Sequence, residues 1–553
     1  MFPDIIVRDS ERVFTLGEEQ HQVFCRTRFI LGTLDLQDSK ITKNMLKLPK
    51  DANEVLVENP RITITEQMYN KIRDACIFRV SEAKSLFTGE ISGLPECFVN
   101  KKDATPYHNT KAAIIPLITE GCVRPTSDDV EGLIVDLSVI IRAQSAIIPK
   151  GKTFNELSSR VLTNISDTAT YRNADRIDIV ADQYSPRSIK YYTREGREAK
   201  GSGNQIEFNN DTLLPDDFEK SFLVDEKNKS RLNELIAENC RNNSGWAWTK
   251  QFCVTNNLTN VITNRGERSI YPPNMIEVLE EADNRIVWHV MDMLECGVSK
   301  ISVRTKDSDV VVILLSYMSR FLEVNPNIEM YVDFNSGDSR KNISLNDCHQ
   351  VLGNDLCLAL PFFHCFSGAD ATSAFYKMTK KTWLSHWSKF PLKDDLTNCF
   401  KDLSWCPSME TVTSALKVIA KFVMFSYNSR MNDDDLDEFR FQLFQRSSTN
   451  DLRNLPPSAA ALVLHINRSA YQAGWVWGNT LTLHQTPSAE LWGWKLFNEH
   501  LFVKWTFSST HVDLDPVLGI CRCRTLKCVS CKCAKNSRKC LTYCSCTRKC
   551  TNT

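Results

Sequence analysis

The sequence has no excess of either charge. Its 67 lysines and arginines are matched by 67 aspartates and glutamates over 553 residues. This excludes a whole-chain field that would gather nucleic acid, so any electrostatic grip must be local. Long apolar runs are also missing. The strongest, VVVILL and AAALVL, are far too short to span a bilayer. The opening stretch MFPDIIVRDSERVF sets charges where a signal peptide needs an apolar segment. These features predict an intracellular protein with no membrane partner. No internal repeat is present. Patterned cysteine is missing from the first 406 residues, where twelve of the 21 cysteines lie scattered, as buried reduced thiols do.

The composition is that of a soluble globular protein, 42% hydrophobic and 24% charged. The length predicts about three or four domains. Residues 1–128 read as a mixed N-terminal region of no evident chemistry, with helix-like apolar spacing over 64–87 behind a threonine cap and a weaker helical stretch at 17–24. From about residue 129 to 425, short runs rich in Ile and Val (LIVDLSVII, RIDIVAD, KISVRT, IEMYVDF) alternate with amphipathic stretches at 154–169 and 275–297. That alternation predicts an α/β domain with a parallel sheet. A polar insertion is expected over about 196–270. Residues 426–516 read as a helical, tryptophan-rich region. It opens with the acid run RMNDDDLDEFR, a solvated helix start, and continues with a helix over 459–477. Five of the 11 tryptophans lie between Trp475 and Trp505, as a core or docking surface rather than a ligand cage. Residues 517–553 form a separate tail.

Seven carboxylates stand out within the α/β region: Asp136, Asp182, Glu281, Asp283, Asp307, Asp309 and Asp370. In a parallel sheet the site lies beyond the carboxyl ends of the strands. Asp136, Asp182 and Asp307 fall at or near such ends, and Glu281 and Asp283 are expected in a helix at the edge of the same site. Clustered carboxylates repel one another and need a cation to coexist, and hard divalent ions with oxygen ligands are the usual answer. Two such ions suit phosphodiester hydrolysis, which must activate a water and stabilise a leaving oxygen. Each pair alone has a plain reading, a helix cap for Asp-Ser-Asp and a solvated face for Glu-Ala-Asp.

The ordered set is more specific. A single Asp, a second Asp, Glu281-Ala282-Asp283, Asp307-Ser308-Asp309 and Gly368-Ala369-Asp370 resemble the flap-endonuclease (PIN-like) superfamily, whose acids follow this order. The stretches LGEEQHQVF, EEADNRIVWH, RTKDSDVVVILL, LPFFHCFSGADATSAFYKMTKKTWLSHW and SAYQAGWVWG resemble a family of animal proteins, many associated with transposable elements, that join a PIN-like domain to a cysteine-rich tail. The resemblance implies that all seven acids hold two Mg²⁺ or Mn²⁺ ions. It also places Arg194, Arg197, Lys380 and Lys381 on DNA. The sequence departs from the superfamily after Asp370, where a Gly-x-Gly turn that would let backbone amides approach phosphate reads Tyr376-Lys377-Met378-Thr379.

The tail is the second signal. Cys521, Cys523, Cys528, Cys531, Cys533, Cys540, Cys544, Cys546 and Cys550 follow C-x-C-x4-C-x2-C-x-C-x6-C-x3-C-x-C-x3-C. That density without a secretory signal favours zinc over disulfides. Nine thiolates satisfy about three tetrahedral ions only if some sulfurs bridge. Nine basic residues and no acid lie among these cysteines, which leaves the segment net positive, a footprint for phosphate backbone. Arg522, Arg524, Lys527, Lys532 and Lys535 are the candidate DNA contacts. The alternative is that these residues only offset thiolate charge. The pattern resembles the tesmin/TSO1-like CXC zinc module, which implies DNA binding and, from that, a nuclear location.

The sequence thus predicts a metal-dependent nuclease that hydrolyses DNA phosphodiesters by a two-metal mechanism and is tethered to DNA by a zinc-cluster tail. The alternative is a catalytically inactive DNA- or chromatin-binding protein derived from a transposon nuclease. The choice between DNA and RNA, the shape of the substrate and the oligomeric state stay open.

Overall fold

The computed structural model describes residues 64–553 apart from 101–104, 126–128, 184–187, 191–204, 243–250, 256–259, 264–265, 272–279, 336–338, 431–432, 448, 483, 498–499, 507–513, 524–530, 547–549, 551 and 553. The helical reading of 17–24 and the candidates Arg194, Arg197, Arg524, Lys527 and Cys528 lie outside these residues.

The chain enters through helices α1 (Glu66–Phe78) and α2 (Val80–Phe87), then an irregular strap to strand β1 (Val123–Arg124). Thr65 caps α1 by accepting from the Met68 amide, and the backbone breaks at Arg79, so the single helix expected over 64–87 is two. The α/β body follows: β2 (Gly132–Asp136), α3 (Leu137–Ser145), α4 (Phe154–Tyr171), β3 (Arg176–Val180), α5 (Glu226–Asn242), β4 (Gln251–Thr255), β5 (Asn260–Thr263), β6 (Gly266–Ser269), α6 (Ala282–Glu295), β7 (Lys300–Thr305), α7 (Ser308–Val324), β8 (Glu329–Phe334) and β9 (Lys341–Ser344). A helical layer completes it: α8 (Leu345–Leu352), α9 (Asn354–Phe366), α10 (Lys380–Lys389), α11 (Lys393–Leu403), α12 (Met409–Tyr427), α13 (Leu436–Arg446) and α14 (Ala459–Ala470).

Strands β1–β9 form one sheet in the order β1-β9-β8-β7-β2-β3-β4-β5-β6, and Trp494–Phe497 pairs with His500–Val503 in a separate two-stranded sheet. The five central strands, β8-β7-β2-β3-β4, are parallel and the outer pairings antiparallel. The parallel part starts at β2, grows one way through β3 and β4, then restarts on the other side with β7 and β8. The order therefore reverses between β2 and β7, and a crevice opens at the carboxyl ends of such neighbours.

Residues along β2 alternate between two cores, as the two-residue period of a strand requires. Leu133 and Val135 join α3, α4 and α5, while Ile134 joins α6, α7 and the helical layer. The run LIVDLSVII, read as one strand, is split at Asp136. Its carboxylate accepts from the Ser138 amide and hydroxyl, and this N-cap starts α3. The helix expected over 154–169 forms as α4 behind a Thr153–Glu156 capping box.

Pairing and packing cross three of the expected boundaries. Val123–Arg124 of the N-terminal region pair as β1 with β9 at the sheet edge. The insertion over about 196–270 is not simply peripheral, since β4 pairs with β3 inside the parallel sheet. The core also crosses residue 426. Trp477, Trp492 and Trp494 are buried in the same cluster as Val303 and Val312. The acid run starts a helix as expected. Asp435 caps α13, although Asp437 turns inward to accept from the Ala459 amide. No helix among the described residues is long and apolar enough to cross a membrane.

Candidate metal centres

Each of the seven acids is placed by the end of an element. Asp136 closes β2, Asp182 lies two residues past β3, Glu281 caps α6 with Asp283 in its first turn, and Asp307 caps α7 with Asp309 in its first turn. Asp370 follows α9 through Gly368. Gly368 has φ +109°, and a Cβ there would meet the Ala374 Cβ at 2.6 Å, so glycine alone fits that turn. The acids converge on the crevice between β2 and β7. A cleft of about 350 Å³ opens there, lined by six of them, with Asp309 buried behind Asp307. Oxygens of Asp283, Asp307 and Asp309 lie within 4.8 Å of one another.

The hydrogen bonds hold the carboxylates in place. Asp136 accepts from Thr305 Oγ1 at 3.1 Å, and Asp182 accepts from the Ala282 amide at 2.9 Å, which ties β3 to the start of α6. Asp307 accepts from the Asp309 amide at 2.8 Å. Asp309 is fully buried and pairs with His364 Nε2 at 3.0 Å. Burial pushes the His364 imidazole down to about 4. It is therefore neutral near pH 7 and donates through Nε2–H, leaving Asp309 anionic.

Two lysines enter the cluster. Lys111 Nζ lies 2.8 Å from Asp307, 3.2 Å from Asp309 and 2.7 Å from Asp370. Lys190 Nζ lies 2.5 Å from Glu281 and about 4 Å from Asp309 and Asp370. Burial raises the Asp309 carboxyl, but Lys111 and the His364 bond outweigh it and hold Asp309 well below the usual range. Other acids keep their strain. Burial and then Asp182 push Asp136 up to about 6, and burial and then Asp309 push Asp307 up to about 7. Burial and then Asp307 hold Asp283 well above its ordinary value. Two ammonium groups thus leave negative charge unbalanced, and the donors are all hard oxygens. Both facts fit Mg²⁺ or Mn²⁺ held by Asp136, Asp182, Glu281, Asp283, Asp307, Asp309 and Asp370. Arg142, Lys229 and Lys306 line the same cleft.

The sequence reading missed Lys111, which sits in a region of weak periodicity, and His364, embedded in the apolar run PFFHCF. It misplaced Lys380. That side chain is 1% exposed and donates to the His364 carbonyl and Ser367 Oγ, and burial lowers its ammonium to about 7. It cannot reach a DNA backbone. Lys381 is exposed. The turn after Asp370 is closed by the strap. The Ala374 amide donates to the Tyr107 carbonyl, the Tyr376 amide to the Cys97 carbonyl, and Asn109 Nδ2 to the Met378 carbonyl. Within that turn the Tyr376 and Met378 amides are used inside the fold, by the Cys97 and Phe375 carbonyls.

The tail builds the second centre. Sulfurs of Cys521, Cys533, Cys540 and Cys544 lie within 4.8 Å of one another, and those of Cys540, Cys546 and Cys550 form a second group sharing Cys540. The Cys521–Cys540, Cys531–Cys540 and Cys533–Cys544 sulfur pairs are 3.9, 3.8 and 3.8 Å apart. A zinc tetrahedron with bonds of ~2.3 Å has edges of about 3.8 Å, whereas a disulfide needs about 2.05 Å. The donor set therefore fits zinc. Cys523 packs beside this group. Arg522, Lys532 and Lys535 are exposed on its outside.

The tail is docked rather than loose. It shares a core with α1, α2 and α13, including Ile72, Phe87, Phe444, Val517 and Leu541. Asp74 accepts from the Thr542 amide and hydroxyl at 2.6 and 2.9 Å.

No protein-family model and no curated protein matches the chain. Solved structures are similar to it. The catalytic core of Rad2 in complex with a DNA substrate is 13% identical over 68% of this chain and 98% of its own, with a TM-score of 0.30. A bacteriophage T5 flap endonuclease, in a pseudo-enzyme–product complex with DNA and metal ions, is 11% identical over 57% of this chain and 99% of its own, with a TM-score of 0.29.

Proposed function

We propose that this chain is a metal-dependent nuclease that hydrolyses phosphodiester bonds of DNA and holds its substrate partly through the basic, zinc-bearing tail. The observation that carries this reading is the convergence of acids from the ends of β2, β3 and β7 and the start of α6 on one cleft, with Asp283, Asp307 and Asp309 within 4.8 Å. Two divalent ions bound there would supply charge neutralisation and a more acidic water. The residues supply the rest. Asp307 and Asp309 offer oxygens fixed by the first turn of α7. Thr305 and Ser138 hold Asp136 toward the cleft. Lys190, pinned to Glu281, puts a buried cation beside the acids, where it offsets charge on a phosphate. Arg142, Lys229 and Lys306 give the cleft a basic border suited to a polyanion.

The test is cleavage of labelled single-stranded, duplex and flapped DNA, and of matched RNA, by the full chain with Mg²⁺ or Mn²⁺. The double variant Asp307→Asn/Asp309→Asn should lose activity on the order of 10³-fold or more, because it removes the charge that holds the ions where negative charge develops in the transition state. Undiminished cutting by that variant would sink the proposal. A second reading is a DNA- or chromatin-binding protein without catalysis. The closed turn at Ala374 and Tyr376 favours it, since that route to phosphate is filled by the strap. Retardation of DNA that needs residues 517–553 but no Mg²⁺ or Mn²⁺, without cutting, is its signature.

A further inference from the structure

Lys111 lies far in sequence from Asp307 and Asp370, by 196 and 259 positions, yet its ammonium contacts both of them and Asp309. Its three donors have three carboxylate acceptors, at 2.8, 3.2 and 2.7 Å. An ammonium with each proton on a different carboxylate is fully satisfied, so nothing in the site favours moving it.

The backbone carrying Lys111 is fixed on both sides. Upstream, Tyr107 accepts from the Ala374 amide and Asn109 donates to the Met378 carbonyl. Downstream, the strap continues through Ile114 and Ile115, both buried in the main core, to β1 on the sheet edge. The lysine is therefore delivered by a rigid support rather than by a surface loop. Two of its acceptors, Asp307 and Asp309, also belong to the tightest group of carboxylates, the one whose oxygens lie within 4.8 Å. Lys111 takes Oδ2 of both, while their Oδ1 atoms already accept from the Asp309 amide and from His364, so a divalent ion drawn to those Oδ2 atoms is set against the ammonium.

We propose that Lys111 is an internal counter-ion that competes with divalent metal for Asp307, Asp309 and Asp370. This rests on the reading of the acidic cleft as a metal centre. In the absence of metal the lysine holds the acids together. Metal enters only by detaching it, so the strap sets how much free metal the protein needs. Lys190 has a different place, with its close contact on Glu281 and only distant ones on Asp309 and Asp370.

The test is calorimetric titration of Mn²⁺ into the zinc-loaded full chain, with Lys111→Met, Lys111→Arg, Lys306→Met and Asp307→Asn/Asp309→Asn alongside. Loss of the competing cation should tighten Mn²⁺ binding by about tenfold in Lys111→Met, with Lys111→Arg within about threefold of the parent. Lys306 borders the same cleft, so Lys306→Met reports the general effect of removing a charge. It should change affinity by less than about threefold. Thermal melts give a second readout. Lys111→Met should melt lower than the parent without metal and gain more from saturating Mn²⁺, an effect visible even if the variant is largely unfolded at the start. Equal affinity of parent and Lys111→Met, or equal tightening in Lys306→Met, overturns the proposal while leaving the metal centre intact. Absence of Mn²⁺ binding in both parent and Lys111→Met overturns the metal centre and this proposal with it.

Discussion

Arg79 donates from its guanidinium to the sulfur of Cys533 at 3.3 Å, across 454 positions of sequence. The same side chain, 2% exposed, also donates to the carbonyls of Val517 and Lys539, both at 2.7 Å. It therefore joins the break between α1 and α2 to the residues just before the cysteine tail and to its middle. Arg79→Ala leaves a buried carbonyl, a partly buried one and a sulfur without this donor. It should cost about 2–4 kcal/mol of stability, read by thermal denaturation. Limited proteolysis should then cut within 507–530 faster than in the parent.

Cys540 belongs to both sulfur groups, whereas Cys546 belongs to one. Replacing a shared ligand removes bonds from more than one ion. Cys540→Ser should release more zinc per chain than Cys546→Ser, measured with a chromophoric chelator on purified protein. Equal release from the two would rule out the shared role of Cys540.

His364 holds Asp309 by a single buried bond, and its Nδ1 finds no partner among the described residues. Its effect is to orient a buried carboxylate of the tightest acidic group. His364→Ala should weaken Mn²⁺ binding by roughly 10–100-fold, the usual consequence of losing a group that orients a metal ligand. His364→Gln, which can still donate, should recover part of it. A calorimetric titration separates this from a change in turnover.

Asp136 is held up to about 6 and Asp307 up to about 7, against an ordinary value of 3.8. Both groups bind protons more tightly folded than unfolded. Their contribution to stability is full below the ordinary value and is lost as pH rises through the raised ones. Asp309 and Asp370 are shifted the other way, and their contribution is lost only at acid pH. Metal-free protein should therefore melt at lower temperature at about pH 7.5 than at about pH 5.5. Saturating Mn²⁺ should remove that decline, because bound metal balances the same carboxylates. Scanning calorimetry with and without Mn²⁺ checks both parts.

The seven acids were legible because each stands at a boundary that local sequence marks, such as the apolar run before Asp136 or the cap at Asp307. The alternation of strands and helices gave the parallel sheet for the same reason. Long-range placement was not legible. Nothing in NTKAAII shows that Lys111 reaches acids about two hundred positions later, since that contact depends on how β1 and the strap cross the sheet edge. Lys380 reads as a surface cation by residue type, but Thr379 caps α10 and turns the first residue of that helix inward beneath Ser367. Strand β4 was hidden in a polar insertion because its partner, β3, lies some seventy residues earlier. The two positions of the arginine–sulfur contact belong to ends of the chain that composition treats as unrelated.

The shared core of α1, α2, α13 and the tail also fixes an order of assembly. During synthesis Arg79 leaves the ribosome long before Cys533 and Cys540 exist. Until they emerge, the faces of α1 and α2 that carry Ile72, Leu86 and Phe87 have α13 to pack against but lack the tail's share of that core. The last step of folding is then the closing of the two ends on each other. With zinc in the tail as proposed, metal supply as well as chain collapse would set when it occurs, and a chain that stalls before residue 521 would leave part of that apolar core open to aggregation.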